Sequence, residues 1–396
     1  MKKRYFYNTL VIALSFFPFQ MILGESIGSV LQTIEQNNTV LYTLRQQADA
    51  EKIGNKTGIY LENPEVEFGY LWGNGPDNEH RVDLSATQSF DFPTAYHYKR
   101  KVANEKNRQV DLKYQIEKKD ILLEAQQICI QLIYQNALYV ELEKRLRHAQ
   151  QVVDAYQSRF DKGEVNVLDL NKAKFTLLNT QKEYNSSKTE KEYLLAELAR
   201  LNGGNPVDFS FSTFEKIQPP LNFEQWYLVQ KENNVLLRSL QQETKVSKES
   251  EKLQRSLNLP KFSAGYMSEK VASEHFQGVT VGVSIPLWEN KNTVKQIKAQ
   301  TQANLAAETD ANLRFYNESK ALYEKAIGLK KISDNYDATK MSDNTSDLLK
   351  KALDMGEISL IDYILELGIY YEVFNNMLET ERDYQLTVAE LMQWEL

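Results

Sequence analysis

The 396-residue sequence has little cysteine, histidine, proline or glycine. It contains one cysteine (Cys129), four histidines, nine prolines and 16 glycines. One cysteine excludes a disulfide-stapled scaffold and a cysteine-based zinc-finger array. A formal net charge of −7 is unlike that of a basic nucleic-acid-binding domain, so we predict no nucleic-acid partner. So few glycines and prolines predict long regular elements rather than a loop-rich enzyme.

Proline is absent from two long stretches, residues 94–205 and 287–396. Because proline inside a helix costs about 3 kcal/mol or more, both stretches can be helical throughout. Gly163 is the only glycine in 94–202, and Gly356 lies at the corresponding place in the second stretch. Each stretch is therefore predicted to reverse direction once, at that glycine. Helices are predicted over residues 94–161, 167–201, 223–257, 26–56 and 360–394.

The one long apolar run lies near the N-terminus, over residues 9–19, after Lys2, Lys3 and Arg4 and before Gly24. This order is typical of a secretory signal peptide and predicts export. The alternative is a short membrane anchor. An anchor that spans the membrane needs about 20 apolar residues, which is more than the run over residues 9–19 supplies. Cleavage would remove three positive charges and change the net charge from −7 to −10. No later segment has the length of apolar sequence that a membrane-spanning helix needs.

A repeated pattern divides the chain into two halves. The sequence KGEVNVLDL at 162–170 recurs as MGEISLIDY at 355–363, an offset that also relates Pro93 to Pro286. Further matches along the chain keep the same order, so we predict two copies of one structural unit. The predicted divisions are a signal peptide (1–24), a first repeat (25–205), a segment midway along the helices (206–222) and a second repeat (223–396).

Four short segments alternate apolar and polar residues with period two and predict two β-hairpins. Val66, Phe68 and Tyr70 share one face in the first hairpin, and residues 279–285 alternate in the same way in the second. Transmembrane β-strands have this pattern, and so does a soluble half-buried sheet. We favour the membrane because no other apolar segment remains to cover the exposed face. Lipid does not tolerate open sheet edges, so several copies of the chain would have to close the sheet.

These features together resemble the TolC-type outer-membrane efflux protein family. The resemblance is carried by the signal peptide, the duplicated helix–hairpin–helix unit, the turns GEVNVLDL and GEISLIDY, and the helix ends AELARLNG and AELMQW, and it covers about residues 25–396. It implies a mainly α fold with transmembrane β: a duplicated long-helix coiled-coil unit that forms an oligomeric α-barrel, continued by a 12-strand β-barrel with four strands per subunit.

The same resemblance implies a function and partners. It implies a homotrimer in the outer membrane of a Gram-negative cell, surrounded by outer-membrane lipid, that meets a periplasmic adaptor (membrane fusion protein) and an inner-membrane pump. Such a chain is a passive exit duct for small molecules or metal cations. The sequences NPEVEFGYLWG and SFDFP are similar to the branch grouped with heavy-metal cation efflux. The exported substrate stays open.

The alternative function is a soluble periplasmic coiled-coil adaptor or scaffold protein. Such an adaptor would present one helical hairpin and no lipid-facing strands. An enzyme is not expected, because the sequence has no Ser-His-Asp order, phosphate-binding glycine loop or paired-histidine metal helix. We predict no cofactor and no bound metal.

The two glycine turns supply the candidate functional residues. The resemblance implies that gate and adaptor contacts lie on these turns, at the periplasmic end. From the residues alone, glycine permits positive φ at a helix end, and Asp169 and Asp362 can cap the helices that begin after Asn166 and Ser359. Repeated around an axis, the same carboxylates could instead form a ring that favours cations. The candidates are Gly163, Glu164, Asp169, Gly356, Glu357 and Asp362.

Three further features keep alternatives open. The Arg and Tyr that link neighbouring helices in some relatives are replaced by Ile358 and Leu353, which puts that link in doubt. The phenylalanines of residues 206–222 could form a packing belt or a partner surface. Aromatic residues near the strand ends could form an interfacial girdle or pack where strands meet helices; they are Tyr70, Trp72, Phe90, Phe92 and Trp288.

Overall fold

The computed structural model describes residues 26–74, 80–339 and 345–396. The signal peptide predicted over residues 1–24 lies outside the described residues. The described elements are α1 (Ile27–Asn37), α2 (Thr39–Gly54), β1 (Glu65–Trp72), β2 (His80–Phe90), α3 (Pro93–Asp161), α4 (Val167–Leu201), α5 (Phe223–Asn233), α6 (Val235–Leu257), β3 (Lys261–Val271), β4 (Glu274–Ser284), α7 (Thr293–Thr339), α8 (Thr345–Asp354) and α9 (Leu360–Leu391), followed by a 3-10 turn at Gln393–Glu395.

The fold is mainly helical with one small antiparallel sheet, which confirms the predicted class. Helix α3 has 69 residues, about 100 Å at 1.5 Å per residue. Helix α4 begins and ends at the residues predicted from the sequence, Val167 and Leu201, whereas α9 ends at Leu391, three residues before its predicted end. No helix in the described parts of the chain has the length and apolar content to cross a membrane.

Two helices predicted as continuous are each interrupted once. The prediction over 26–56 is wrong at Asn38, and the prediction over 223–257 is wrong at Asn234, where the backbone is extended. Each asparagine is buried and its side chain caps a new helix by accepting from the backbone N–H three residues on, at 2.8 and 2.9 Å. A buried cap satisfies the N–H groups that a helix start leaves without partners, so the break is stable.

The four strands pair in the order β1-β2-β3-β4, all antiparallel. The central β2–β3 pair joins the hairpin of the first repeat to that of the second. The register sets Phe68 opposite Leu84, and a row across the other strands contains Phe90, Phe262 and Val283. One face of the sheet is therefore largely apolar, as the period-two pattern predicted. This face is uncovered in the single chain, where Trp72 is 79% and Val279 is 85% exposed.

Residues 206–222 pack on the helices midway along their length. Phe209 is buried in a core formed by α1, α3 and the end of α4, and Phe211 and Phe214 are partly buried against it. Further along, the Tyr384 hydroxyl donates to the carbonyl of Ile217 at 2.8 Å. For these side chains the packing alternative is the one seen, because their apolar surface is used within the chain.

Candidate functional site

The two glycine turns have the same backbone geometry. Gly163 and Gly356 both have a φ of 74°, a conformation that favours glycine. In the first turn the N–H of Glu164 donates to the carbonyl of Arg159 at 2.9 Å, and in the second the N–H of Glu357 donates to that of Ala352 at 2.9 Å. These bonds satisfy the last carbonyls of the preceding helices. The duplicated sequence thus folds into duplicated turns.

Both candidate aspartates cap the helix that leaves their turn. Asp362 and Ser359 form a reciprocal capping box, with the serine hydroxyl 2.6 Å from the Asp362 carboxylate. In the first turn the Asn166 side chain caps the N–H of Asp169 and donates to its carboxylate at 2.9 Å. A carboxylate at a helix N-terminus also offsets the helix dipole. Capping is therefore seen in one chain; a ring of carboxylates would require further copies.

An apolar cluster brings the two turns side by side. It is formed by buried side chains of α3 and α4 from the first repeat and of α8 and α9 from the second. Leu353 is buried in this cluster and Ile358 packs against it, so both positions make apolar contacts here. Among the described residues, no hydrogen bond or ion pair joins the candidates of one turn to those of the other. The remaining members are Val152, Val153, Tyr156, Leu170, Ala173, Leu360, Tyr363 and Leu367.

A polar joint ties α3 to α8, farther along α3 from its turn than the apolar cluster. The Asp347 carboxylate lies 2.8 Å from Lys144 Nζ and 3.2 Å from His148 Nε2. The hydrogen bond and charge of Lys144 lower the pKa of Asp347. Burial lowers the pKa of His148, opposed by Asp347 and reinforced by the cations of Lys144, Lys350 and Arg147. The joint is therefore strongest with His148 neutral and Asp347 ionised.

Arg145 is a buried cation that the sequence analysis missed. Its guanidinium pairs with Glu141 at 3.0 Å, donates to the Asn375 side chain at 3.2 Å, and lies 3.9 Å from the ring centre of Tyr371. Burial raises the pKa of Tyr371 above its ordinary value. These contacts join α3 of the first repeat to α9 of the second. Only the pairing of Arg145 with Glu141 four residues earlier was visible in the sequence.

A cavity of about 20 Å³ lies beside His148 and Arg145, between α3, α4 and α9. It is lined mainly by apolar side chains, and its volume matches a single water molecule. His148 Nδ1 and the Tyr363 hydroxyl face this region, and both are buried without a hydrogen-bond partner within the described structure. Burial also raises the pKa of Tyr363. The cavity is too small for a substrate or cofactor.

The polar face of the sheet carries small and charged residues. Arg81 pairs with Asp83 at 2.8 Å and with Glu269 at 3.2 Å. A Cβ at Gly265 would lie 2.6 Å from the carbonyl oxygen of Ala86, so this face requires glycine there. Small side chains on one face and apolar ones on the other suit a wall between water and lipid.

The four histidines have different neighbours in the described structure. His80 packs beside Tyr70, His97 beside Tyr98, and His275 lies 2.8 Å from the Ser268 hydroxyl. In the parts of the chain that the structure describes, no group of three or more His, Cys, Asp or Glu side chains could hold a metal ion.

Cys129 is buried, which raises the pKa of its thiol to about 12.

The chain has the fold of outer-membrane channels of known structure. It matches the Campylobacter jejuni CmeC outer membrane channel with a TM-score of 0.76 and 15% identity, over 93% of this chain and 85% of that one. It matches the outer membrane protein VceC of Vibrio cholerae with a TM-score of 0.75 and 9% identity, over 93% and 95%. It matches the open state of the Neisseria gonorrhoeae MtrE outer membrane channel with a TM-score of 0.65 and 13% identity, over 93% of this chain and 88% of that one.

Sequence comparison adds no closer relationship. No protein-family profile matches the chain, and no curated protein matches its sequence. At 9 to 15% identity the structural matches establish the architecture. The resemblance to TolC-type proteins is thereby confirmed at the level of the fold.

Proposed function

We propose, from the fold shared with outer-membrane channels, that this chain is the outer-membrane exit duct of a tripartite efflux system. It acts as a passive channel that carries small molecules or metal cations across the periplasm and outer membrane. The observation that carries the proposal is that four strands with an uncovered apolar face continue into long helices, of which α3 alone is about 100 Å long. Lipid covers the strands, and the helices cross the aqueous space beneath.

Several copies of the chain complete the duct. Strands β1 and β4 are edges in one chain, and an edge in lipid leaves N–H and C=O groups unpaired at several kcal/mol each. Pairing β4 of one copy with β1 of the next removes both edges. Three copies give a 12-strand β-barrel above a helical tunnel. Each copy contributes a repeat at 25–205 and a repeat at 223–396, joined by the packed segment at 206–222.

The partners bind at the end opposite the sheet. A periplasmic adaptor docks on the turns at Gly163 and Gly356 and links the duct to an inner-membrane pump, which supplies the energy. Glu164, Asp169, Glu357 and Asp362 lie on or beside these turns. In a closed ring of copies their carboxylates surround the entrance and favour cations. Opening requires the helices of the two turns to move apart.

The soluble adaptor alternative fits the structure less well. A soluble protein with this sheet would leave a largely apolar face in water, and patches larger than a few hundred Å² are rare on soluble monomers. Solved proteins with this fold include outer-membrane channels. Both facts favour a channel.

Single-channel conductance in a planar bilayer tests this function. We expect the purified processed chain to form pores with a preference for cations, and D169N/D362N to reduce that preference because the charge at the entrance falls. The matched control is E183Q/E232Q, which removes two exposed carboxylates away from the turns. Absence of any pore from the wild-type chain would contradict the duct. Equal selectivity in all three proteins would contradict the role of the turn aspartates.

A further inference from the structure

The junction between helices and sheet and the glycine turns carry opposite net charge. Seven Lys or Arg and four Asp or Glu lie in the junction segments, which are residues 60–64, 91–101, 250–260 and 285–296. At the turns the balance is reversed, with five Lys or Arg and nine Asp or Glu in residues 154–172 and 347–366. The first group lies where helices meet the sheet. Its segments are at one level, because Thr94 hydrogen-bonds Ser256 and the Asn290 side chain donates to the carbonyl of Leu257 at 3.2 Å.

Four cations at this level, the junction cations, make no ion pair within the described residues. They are Arg100, Lys101, Lys291 and Lys295, and all four are exposed. The other three cations are already used: Lys99 pairs with Asp91 at 2.8 Å, Lys252 with Glu249 at 2.6 Å and Arg255 with Glu251 at 2.6 Å. The positive charge of the junction cations is therefore available to an outside anion.

Exposed apolar and aromatic side chains accompany the junction cations. Tyr60 is 76% exposed and Trp288 is 79% exposed, and Leu61 and Leu287 stand next to them in sequence with more than half of their surface exposed. Both pairs lie on the links that connect a helix to a strand. Tyr and Trp are enriched where a membrane meets water, because their rings are apolar and carry a polar group.

We propose that the junction cations bind the phosphate headgroups of anionic phospholipids, with Tyr60 and Trp288 inserted at the same membrane surface. The proposal rests on the duct function, which places the strands in lipid. The cations lie on open surface within about 12 Å of the helix ends, as lipid headgroups beside the strands require. A free anion would need a convergent pocket, whereas exposed cations and apolar side chains at the same helix–sheet junction suit a lipid surface.

Tryptophan quenching by brominated lipids tests the proposal. The chain with W72F, W226F and W394F retains Trp288 alone and is reconstituted in phosphatidylcholine vesicles that contain brominated phosphatidylglycerol or brominated phosphatidylcholine. One lysine or arginine near an anionic surface contributes about 1 kcal/mol, or about fivefold in affinity. We expect phosphatidylglycerol to quench with about fivefold higher relative affinity, and R100Q/K101Q/K291Q/K295Q to abolish the difference.

Two control variants separate charge from folding. K162Q/K174Q/K182Q/K188Q removes four exposed lysines from the turn and α4 and should keep the lipid preference. R100K/K101R/K291R/K295R retains the charges and should keep it too. Native mass spectrometry of the chain with its own tryptophans should show retained phosphatidylglycerol in wild type and little in the glutamine variant.

Pore formation in the same vesicles distinguishes failure of this proposal from failure of the duct function. A wild-type chain that forms pores but is quenched equally by both lipids would overturn the lipid proposal alone. A chain that forms no pore in either lipid would overturn the duct. A glutamine variant that fails to insert while the charge-retaining variant inserts would support the need for charge at these positions.

Discussion

At the residue scale, glycine and asparagine determine where the helices end and begin. The sequence predicted the two glycine turns because few other residues tolerate a positive φ. It did not predict the breaks at Asn38 and Asn234, because a single asparagine inside a helical pattern is tolerated unless its side chain finds a buried partner. Asn38 finds one in the distant carbonyl of Leu201, at 2.8 Å. The signal was nevertheless present, since Asn37-Asn38 and Asn233-Asn234 occupy matching places in the two repeats.

Replacing either turn glycine by alanine should destabilise the protein. A left-handed residue other than glycine costs about 1 to 2 kcal/mol, and the space around Gly163 and Gly356 is open, so the loss is conformational. We expect G163A or G356A to lower the free energy of unfolding by about 1 to 2 kcal/mol in denaturant titrations. The control is G368A within α9, where a Cβ also meets nothing within 4 Å.

The control should change stability in the opposite direction. Gly368 lies within α9, where alanine is favoured over glycine by about 0.5 to 1 kcal/mol. A destabilising G368A together with a neutral G163A would show that the turn geometry does not limit stability.

At the scale of elements, the joint between α3 and α8 was the least predictable part of the candidate site. The absence of proline and the scarcity of glycine predicted the long helices well. The local sequence does not predict which distant helix packs against α3. The pairing of His148 with Asp347, at 3.2 Å, therefore had no local signal. The joint connects α3 of the first repeat to α8 of the second.

Acidification should loosen this joint. The pKa of packed His148 is lowered by burial, so between that value and about 6.5 an exposed His148 binds a proton that the packed one does not. Falling pH therefore favours the opened state, by up to about tenfold at pH 5.5. We expect hydrogen exchange in α8, corrected for intrinsic rates, to increase more between about pH 7.5 and 5.5 in wild type than in H148Q.

The matched control for the joint is H97Q, because His97 is an exposed histidine on the same helix, far from α8. It should respond to pH as wild type does. The same pH response in H148Q and wild type would exclude His148 as the titrating group.

At the scale of the whole molecule, the internal repeat indicates how copies meet. Within one chain, α3 of the first repeat packs on α9 of the second. There the Tyr134 hydroxyl lies 3.5 Å from the Glu379 carboxylate, and the Arg382 guanidinium lies 4.6 Å from the centre of the Tyr134 ring. The repeat offset of 193 converts Tyr134 and Glu379 into Ile327 and Ser186. Both of these are exposed, Ile327 by 42%. An equivalent contact between copies would bring α7 of one copy against α4 of the next.

Cross-linking between these two positions tests the assembly. In a chain with I327C and S186C, a short bis-maleimide should join neighbouring copies and give covalent oligomers up to the size of the closed ring on a denaturing gel. Cys129 should not react, because it is buried and its thiol has a pKa of about 12. The control Y134C/E379C places the cysteines at the intrachain equivalents and should give cross-linked monomers. Monomers alone from I327C/S186C would contradict the repeat-based assembly.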